Sequence, residues 1–395
     1  MSEWKTIPAD VFCDTVRDGT HDTPKQVDKG YKLVTAKHIN NGQIDLSDAY
    51  LISEKDYLKI NERSKVEQWD VLMSMIGNGL GKSAVVKYNP DYAIKNLALF
   101  KLGNEIKAKW LHYYLSSKAG QGFIYNSLQG AGQPFISLSL LRKFPIPVPN
   151  DETIMGNVVA VLSRYDSLIE NYQKQIKLLE EAAQRLYKEW FVDLHFPGHE
   201  TTKIVDGVPK GWEKKPISQL GEYLNGFAFK PSDWQKSGKP IIKIKEMGNG
   251  VSNDTPRNNG ERVPAKYLVK AGDLLFSWSA TLMVIVWSGE EGWLNQHLFK
   301  VTPSKGIERE FLLQSISNTI EEFQNLTTGS TMKHIQRNKL DQVFVNVPND
   351  EIMKRYSSIA EKERTEILHL SSQIRLLTEA RDRLLPKLMS GEIEI

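Results

Sequence analysis

The chain has 395 residues, of which 40% are hydrophobic and 25% charged, and its formal net charge is +3. The length predicts two or three domains. The proportions of hydrophobic and charged residues are those of an ordinary soluble globular protein. Its longest strongly apolar run, 282–287, is far shorter than the ~20 residues that cross a bilayer, so no membrane is expected as a partner. The single cysteine, Cys13, excludes internal disulfides and a multi-thiolate metal centre, and it favours a cytoplasmic location.

A series of short segments in the first half of the sequence recurs, in the same order, in the second half. Residues 70–74 (Asp-Val-Leu-Met-Ser) return as 273–277 (Asp-Leu-Leu-Phe-Ser), and 148–152 (Val-Pro-Asn-Asp-Glu) return unchanged as 347–351. The offset drifts only from 208 residues near the start of the repeat to 198 near its end. Repeats of this kind indicate a duplicated structural unit. The chain is therefore predicted to have an internal pseudo-twofold repeat.

Each copy begins with a region of mixed secondary structure. Short apolar runs bounded by glycine and proline, such as 71–76 and 97–102, predict strands, while 106–116 and 310–323 predict helices. The sequence thus predicts two α/β (α+β mixed) globular domains, residues 1–150 and residues 196–349.

A long helix is predicted to follow each domain, as a central helix at 151–195 and a C-terminal helix at 350–395. Their apolar residues alternate spacings of four and three, which predicts an antiparallel coiled coil that separates the domains. Pro386 is expected to end or kink the second helix. The alternative is that each helix packs only on its own domain. The predicted seam residues are Leu162, Ile169, Tyr172, Ile176, Leu179 and Leu186 in the first helix and Ile367, Leu370, Ile374, Leu377 and Leu384 in the second.

No motif for catalysis or metal binding is complete in this sequence. Residues 77–83 end like a phosphate-binding loop, but Ile76 stands where that motif requires glycine and the following residues are β-branched. His195 and His199 have Pro197 and Gly198 between them, which break any helix, so they indicate a linker and no metal site is predicted. Nucleophile-elbow, helicase, nuclease and methyltransferase motifs are also missing from the sequence. No catalytic residues are therefore predicted, and a recognition or scaffold subunit is favoured.

Polar, basic and aromatic residues occupy comparable loops in the two copies. Such loops can present amide, hydroxyl, lysine and histidine groups to base edges and phosphates; the alternative is that they are ordinary surface turns. The candidate DNA-binding residues are Thr20, His21, Thr23, Lys25, Lys37, Asn78, Lys82 and Gln133 in the first copy and Phe229, Lys230, Lys245, Ser277, Trp278, Ser279, Thr281, Ser330, Lys333 and His334 in the second.

Five motifs in a fixed order carry a resemblance to a known family. They are Arg-Asp-Gly-Thr-His-Asp-Thr-Pro at 17–24, Gly-Phe-Ala-Phe-Lys at 226–230, Asp-Leu-Leu-Phe-Ser at 273–277, Asn-Gln-His-Leu-Phe at 295–299 and Leu-Leu-Pro-Lys-Leu-Met-Ser-Gly at 384–391. Together with the duplication, they make the whole chain resemble the specificity subunit of type I restriction-modification enzymes, which act in phage defence.

The resemblance implies two target-recognition domains, each reading one half of an asymmetric split DNA site, and two spacer helices that set the gap and dock partners. It implies a non-catalytic subunit of a type I site-specific deoxyribonuclease and adenine-specific DNA methyltransferase complex. The expected partners are double-stranded DNA, two methyltransferase subunits and two restriction (translocase) subunits. No cofactor is expected on this chain, whereas S-adenosylmethionine, ATP and Mg are expected on the partner subunits.

Two other functions stay open from the sequence. One is a DNA-recognition subunit of another methylation or defence system, and the other is a coiled-coil scaffold that does not bind DNA. Salt-sensitive DNA binding would separate the scaffold from the other two.

Overall fold

A computed structural model describes residues 4–40, 42–130, 134–326 and 337–395 of the chain. The chain forms two compact units, the first made of Met1–Leu168 with Leu377–Ile395 and the second of Ile169–Leu376. Each unit thus combines one of the repeated regions with part of each long helix. Within the described ranges, no helix is both long and apolar enough to cross a membrane.

The first unit is built from short strands and helices that precede the first long helix. Its strands are β1 (Trp4–Pro8), β2 (Thr15–Asp18), β3 (Tyr31–Val34), β4 (Ile39–Asn40), β5 (Gln43–Ile44), β6 (Leu51–Ile52), β7 (Val71–Ser74), β8 (Ser83–Val85), β9 (Tyr92–Ile94), β10 (Leu97–Lys101) and β11 (Pro145–Pro149). Its helices are α1 (Ala9–Phe12), α2 (Glu54–Ser64), α3 (Glu105–Ser116), α4 (Lys118–Asn126), α5 (Leu138–Arg142) and the first part of α6 (Glu152–Tyr187).

Two sheets form the centre of the first unit. The larger one is antiparallel, in the order β2-β10-β7-β8, and the smaller one has the order β6-β3-β9, with β3 and β9 parallel. Strands β1 and β11 pair antiparallel, as do β4 and β5. The two ends of the globular region are therefore held together by β1 and β11.

Strand β10 is buried on both faces. Its successive side chains point to opposite sides, and each side packs into a different core cluster. Ala98 and Phe100 belong to a core cluster with helical residues such as Trp110. Leu97 and Leu99 belong to a second cluster, shared with the smaller sheet. Burial on both faces explains why the predicted strand at 97–102 is an almost continuous apolar run.

Two glycines in α4 provide a test of the packing in the first unit. A Cβ atom on Gly120 would lie 2.1 Å from the Tyr114 carbonyl oxygen, whereas a Cβ atom on Gly122 would meet nothing within 4 Å. We expect Gly120→Ala to destabilise the unit by about 1–3 kcal/mol. Gly122→Ala, the matched control, should stabilise it by about 0.5–1 kcal/mol, because alanine has less conformational entropy to lose in a helix. Urea unfolding measures both; effects of the same sign would contradict this packing.

The second unit repeats the arrangement of the first. Its strands are β12 (Ile204–Val205), β13 (Val208–Pro209), β14 (Glu213–Pro216), β15 (Gly221–Asn225), β16 (Lys239–Ile242), β17 (Arg257–Asn258), β18 (Leu268–Val269), β19 (Leu274–Ser277), β20 (Met283–Val286), β21 (Gly292–Leu294), β22 (Leu298–Pro303) and β23 (Phe344–Val347). Its helices are α7 (Ile244–Asn249), α8 (Arg309–Asn318), α9 (Ile320–Leu326) and the first part of α10 (Asp350–Met389).

The larger sheets of the two units match strand by strand, while the smaller sheet of the second unit, in the order β17-β16-β21-β18, has one more strand than that of the first. The larger sheet has the order β15-β22-β19-β20, and in the smaller one β16 is parallel to β21. Strands β14 and β23 pair as β1 and β11 do. The mixed α/β fold and the internal repeat are therefore confirmed.

The helix predicted over 310–323 is instead two helices, α8 and α9. They are separated at Thr319, whose hydroxyl group donates to the carbonyl oxygens of Ser315 and Ile316. This local bonding of a threonine side chain accompanies the end of α8 at Asn318.

The two long helices pack together, and they run antiparallel. In the first unit, Arg381 of α10 donates to Asp166 of α6 over 2.8 Å. In the second unit, the ring centroids of Tyr187 and Tyr356 lie 6.4 Å apart. Later residues of α6 therefore meet earlier residues of α10. Helix α6 continues as one π-helical turn at Lys188–Val192.

The predicted seam residues all lie on covered faces of the two helices. Four are buried and the others are partly buried: the buried ones are Leu162, Ile169, Ile367 and Leu370, and the partly buried ones are Tyr172, Ile176, Leu179, Leu186, Ile374, Leu377 and Leu384. Pro386 is expected to end or kink α10. The first alternative is wrong, since the helix continues to Met389, and the kink stays a prediction. Leu385 and Leu388 are buried in the core of the first unit, and this packing outweighs the one hydrogen bond that proline removes.

Candidate nucleic-acid interface

In the first unit, the candidate loops follow strands that end at one edge of the sheets. Strands β2 and β7 both end beside the start of β10, and the parallel strands β3 and β9 end together. Thr20, just after β2, pairs with Lys95, just after β9, and so joins the ends of the two sheets. We call this side, formed by residues 19–25, 35–38, 75–82 and 95–96, the first edge.

A hydrogen-bonded network holds the loop after β2. The ring of His21 lies between two oxygen atoms, with Nδ1 2.8 Å from Asn96 Oδ1 and Nε2 3.0 Å from Asp18 Oδ2. Arg63 of α2 donates to the other oxygen of Asp18 over 2.5 Å. Because Asp18 is bonded from both sides, the start of the loop is fixed to α2.

Glycine is required at the start of the loop after β2, and also at the start of the corresponding loop after β15. A Cβ atom on Gly19 would lie 2.4 Å from the Ile94 carbonyl oxygen, and one on Gly226 would lie 2.2 Å from that of Asn295. Real Cβ atoms do not approach a carbonyl oxygen so closely, so any side chain would displace the loop. The glycine in both opening motifs is the sequence signal of this close approach.

The predicted residues of the first copy are mostly accessible at the first edge. His21, Thr23, Lys25, Lys37 and Lys82 are exposed, and Thr20 is partly exposed. Lys37 pairs with Asp48 at 2.7 Å, Lys82 lies 3.4 Å from Asn40 Oδ1, and Thr23 accepts a hydrogen bond from Lys95. The Asn78 side chain and Gln133 lie outside the described residues. The first edge thus offers polar and cationic groups.

The second unit has a corresponding edge. Strands β15 and β19 end beside the start of β22, and the parallel strands β16 and β21 end together. Phe227, just after β15, pairs with Asn295, just after β21. We call residues 226–230, 243–245, 278–282 and 295–297 the second edge.

Aromatic rings dominate the second edge. Trp278 donates from Nε1 to Asn225 over 3.2 Å, and its ring centroid lies 5.8 Å from that of His297. The Phe229 ring lies 4.9 Å from Phe227, edge to face. Phe229 and Trp278 are partly exposed, whereas Lys230, Lys245 and Thr281 are exposed. The two edges therefore share an architecture but differ in chemistry.

Two predicted residues of the second copy are inaccessible, which corrects the sequence analysis. Ser277 is 0% exposed and donates to the carbonyl oxygens of Ser279 and Thr281, and Ser279 is 3% exposed. Neither hydroxyl group can reach a ligand in this conformation, because both lie inside the turn after β19. Ser330, Lys333 and His334 lie outside the described residues.

The sequence analysis also missed residues on α2. An open cleft of about 510 Å³ lies between α2 and the loop after β2, and Lys59 and Arg63 are among its lining residues. Arg63 and Asp18 are 45 residues apart in sequence, so no local pattern signals their contact.

The two histidines of the linker take no part in either edge. His199 donates from Nδ1 to the Phe196 carbonyl oxygen over 2.9 Å, and its ring lies 5.3 Å from that of His195. No group of three or more His, Cys, Asp or Glu side chains suited to a metal ion occurs in the part of the chain that the structure describes.

Comparisons with known proteins agree with the duplicated architecture. A family model described as type I restriction modification DNA specificity domain matches residues 1–181 and again residues 209–377. The specificity subunit of the type I restriction enzyme MjaIX from Methanocaldococcus jannaschii is 24% identical over 73% of this chain and 70% of that protein. The specificity subunit of the type I restriction enzyme HindI from Haemophilus influenzae is 24% identical over 90% of this chain and 94% of the HindI subunit.

A solved structure is similar in fold. The crystal structure of the S subunit of a type I restriction-modification system from M. genitalium has a TM-score of 0.54 to this chain at 14% identity. The likeness covers 98% of this chain and 96% of that one. It therefore supports the mixed α/β fold described above.

The duplicated fold and the double match define a DNA-specificity protein. The chain belongs to the family of type I restriction modification DNA specificity proteins. It is a specificity subunit, the non-catalytic component that recognises the DNA target.

Proposed function

We propose that residues 1–150 and 196–349 are two target-recognition domains, and that the first edge and the second edge each read one half of a bipartite DNA site. The observation that carries this proposal is the repeated edge. In both units the corresponding strands end at one edge of the sheets and are followed by the candidate loops, while the side chains on these loops differ. Because the side chains differ, the two half-sites are expected to differ and the target to be asymmetric.

The side chains on each edge differ in the part of the DNA that they suit. At the first edge, Lys25 and Lys82 suit phosphates, and Thr20 and Thr23 suit base edges. Both ring nitrogens of His21 are already bonded to Asn96 and Asp18, so His21 serves to hold the loop. At the second edge, Phe229 and Trp278 suit apolar surfaces such as a thymine methyl group, and Lys230 and Lys245 suit phosphates. The sequence-specific contacts are thus assigned to the loops, and the core serves to position them.

The helical segments 151–195 and 350–395 are proposed to set the gap between the half-sites and to dock the other subunits. Their described faces include exposed apolar residues, which a partner could cover: Leu168, Leu178, Ile359 and Leu376. The proposed partners are two methyltransferase subunits that bind S-adenosylmethionine and two restriction subunits that use ATP and Mg. The proposed location is the cytoplasm, where the DNA target is accessible.

Methylation mapping tests the proposal directly. A plasmid is recovered from cells that express this chain with its methyltransferase, and from control cells that express the methyltransferase alone, and modified adenines are located by single-molecule sequencing. We expect a split, asymmetric methylated site that appears only when this chain is present. A soluble complex without such a site would overturn the proposal.

A further inference from the structure

Helix α2 distinguishes the first unit from the second. It occupies Glu54–Ser64, between β6 and β7. At the corresponding place in the second unit, between β17 and β19, the described chain has only a 3-10 turn, Ala265–Tyr267, and the two-residue strand β18. The cleft beside α2 is thus specific to the first unit.

The cleft opens next to the first edge. Its wall on one side is the loop 20–24, and on the other it is the face of α2 that carries Asp56, Lys59 and Arg63. The loop wall is anchored to the helix wall through the 2.5 Å contact of Arg63 with Asp18. A ligand that reaches the first edge therefore also meets α2.

The charges that line the cleft nearly cancel. Lys59 and Arg63 are balanced by Asp22 and Asp56, and Asp18 beneath the loop already pairs with Arg63. A balanced site is a poor match for a phosphate anion, which needs excess positive charge. Neighbouring donors and acceptors instead match the uncharged base edges of a major groove, which is wide enough to admit a helix.

Of the two cationic side chains that line the cleft, Lys59 rather than Arg63 is free to contact a ligand. Arg63 is held by Asp18, and Asp56 accepts a hydrogen bond from Ser53 over 2.7 Å. Lys59 is exposed and makes no ion pair with any residue that the structure describes. A lysine ammonium group in this position can donate to O6 and N7 of guanine.

We propose that α2 is a base-reading element of the first half-site, with Lys59 as a specificity-determining residue. This inference rests on the proposed function of the first edge. It adds that the first half-site is read by a helix as well as by loops, whereas the second is read by loops.

The test compares Lys59→Ala with Lys55→Ala, an exposed lysine one turn earlier on α2 that does not line the cleft. Each variant is expressed with the methyltransferase, methylation is mapped, and binding to the mapped target and to its single-base variants is measured at several salt concentrations. For Lys59→Ala we expect discrimination at one position of the first half-site to fall on the order of tenfold. The second half-site and the salt dependence should not change, and Lys55→Ala should resemble the unchanged chain.

Two results would overturn the inference while leaving the proposed function intact. One is unchanged discrimination at every position. The other is a uniform loss of affinity for all sequences with a salt slope smaller by about 0.9, which would make Lys59 a phosphate contact. If the unchanged chain itself directs no split methylated site, the proposed function fails, and the inference fails with it.

Discussion

Replacing residues 1–150 by the corresponding domain of another specificity subunit is expected to change one half of the methylated site and to leave the other half as it was. Each mismatched base pair costs about 1–3 kcal/mol, so three mismatches in one half-site should weaken binding to the original target by at least about 100-fold. Methylation mapping on the same plasmid gives both halves of the new site in one measurement.

The matched control for this replacement is the reciprocal chimera, in which residues 196–349 are exchanged. It should change the opposite half-site and keep the gap, because the helical segments are untouched. A donor domain must also accept Leu385 and Leu388 of α10 in its core, as the first unit does here. If either chimera altered both halves, the assignment of one domain to one half-site would be wrong.

Arg364→Ala is expected to destabilise the second unit by about 3–5 kcal/mol. Glu310 is 2% exposed, and its two oxygens accept hydrogen bonds from Arg309 and Arg364, each over 3.0 Å. Removing the Arg364 guanidinium group leaves a buried carboxylate with one of its two partners, and the nearby Glu363 carboxyl group adds repulsion. Urea unfolding, with the transition of the second unit followed separately, measures the loss.

An exposed pair on the same helix provides the control. Arg383 and Glu379 approach to 2.6 Å, but their side chains are 78% and 47% exposed, so Arg383→Ala should cost at most about 0.5 kcal/mol. A double variant, Glu310→Leu with Arg364→Met, should cost less than Arg364→Ala alone, because no buried charge is left without its partner. Equal losses for Arg364→Ala and Arg383→Ala would show that the buried pair is unimportant.

Local patterns predicted the elements of this fold better than their pairing. The strand at 97–102 and the helix at 106–116 follow from apolar spacing and glycine or proline boundaries, and the structure has β10 and α3 there. The parallel pairing of β3 with β9 joins residues about 60 positions apart, and no short-range pattern specifies it. The break at Thr319 is accompanied by a side-chain hydrogen bond that residue type alone does not predict.

The candidate site was predictable in its loops but not in its details. The repeated motifs placed most candidates after strand ends, where the structure has them. Ser277 could not be told from an exposed candidate such as Thr281, because burial at the end of a strand depends on the turn that follows it. Lys59 was missed because its place beside loop 20–24 results from tertiary packing of α2.

The first unit is made of two segments from opposite ends of the chain, and this affects when it can fold during synthesis. Its core needs Leu385, Leu388 and Met389, which are translated only after the roughly 200 residues of the second unit. At about 5–20 residues per second, the ribosome needs about 10–40 s to make that intervening stretch. The part of the chain that is made first therefore waits with an open core, while the later, continuous unit can finish folding before it.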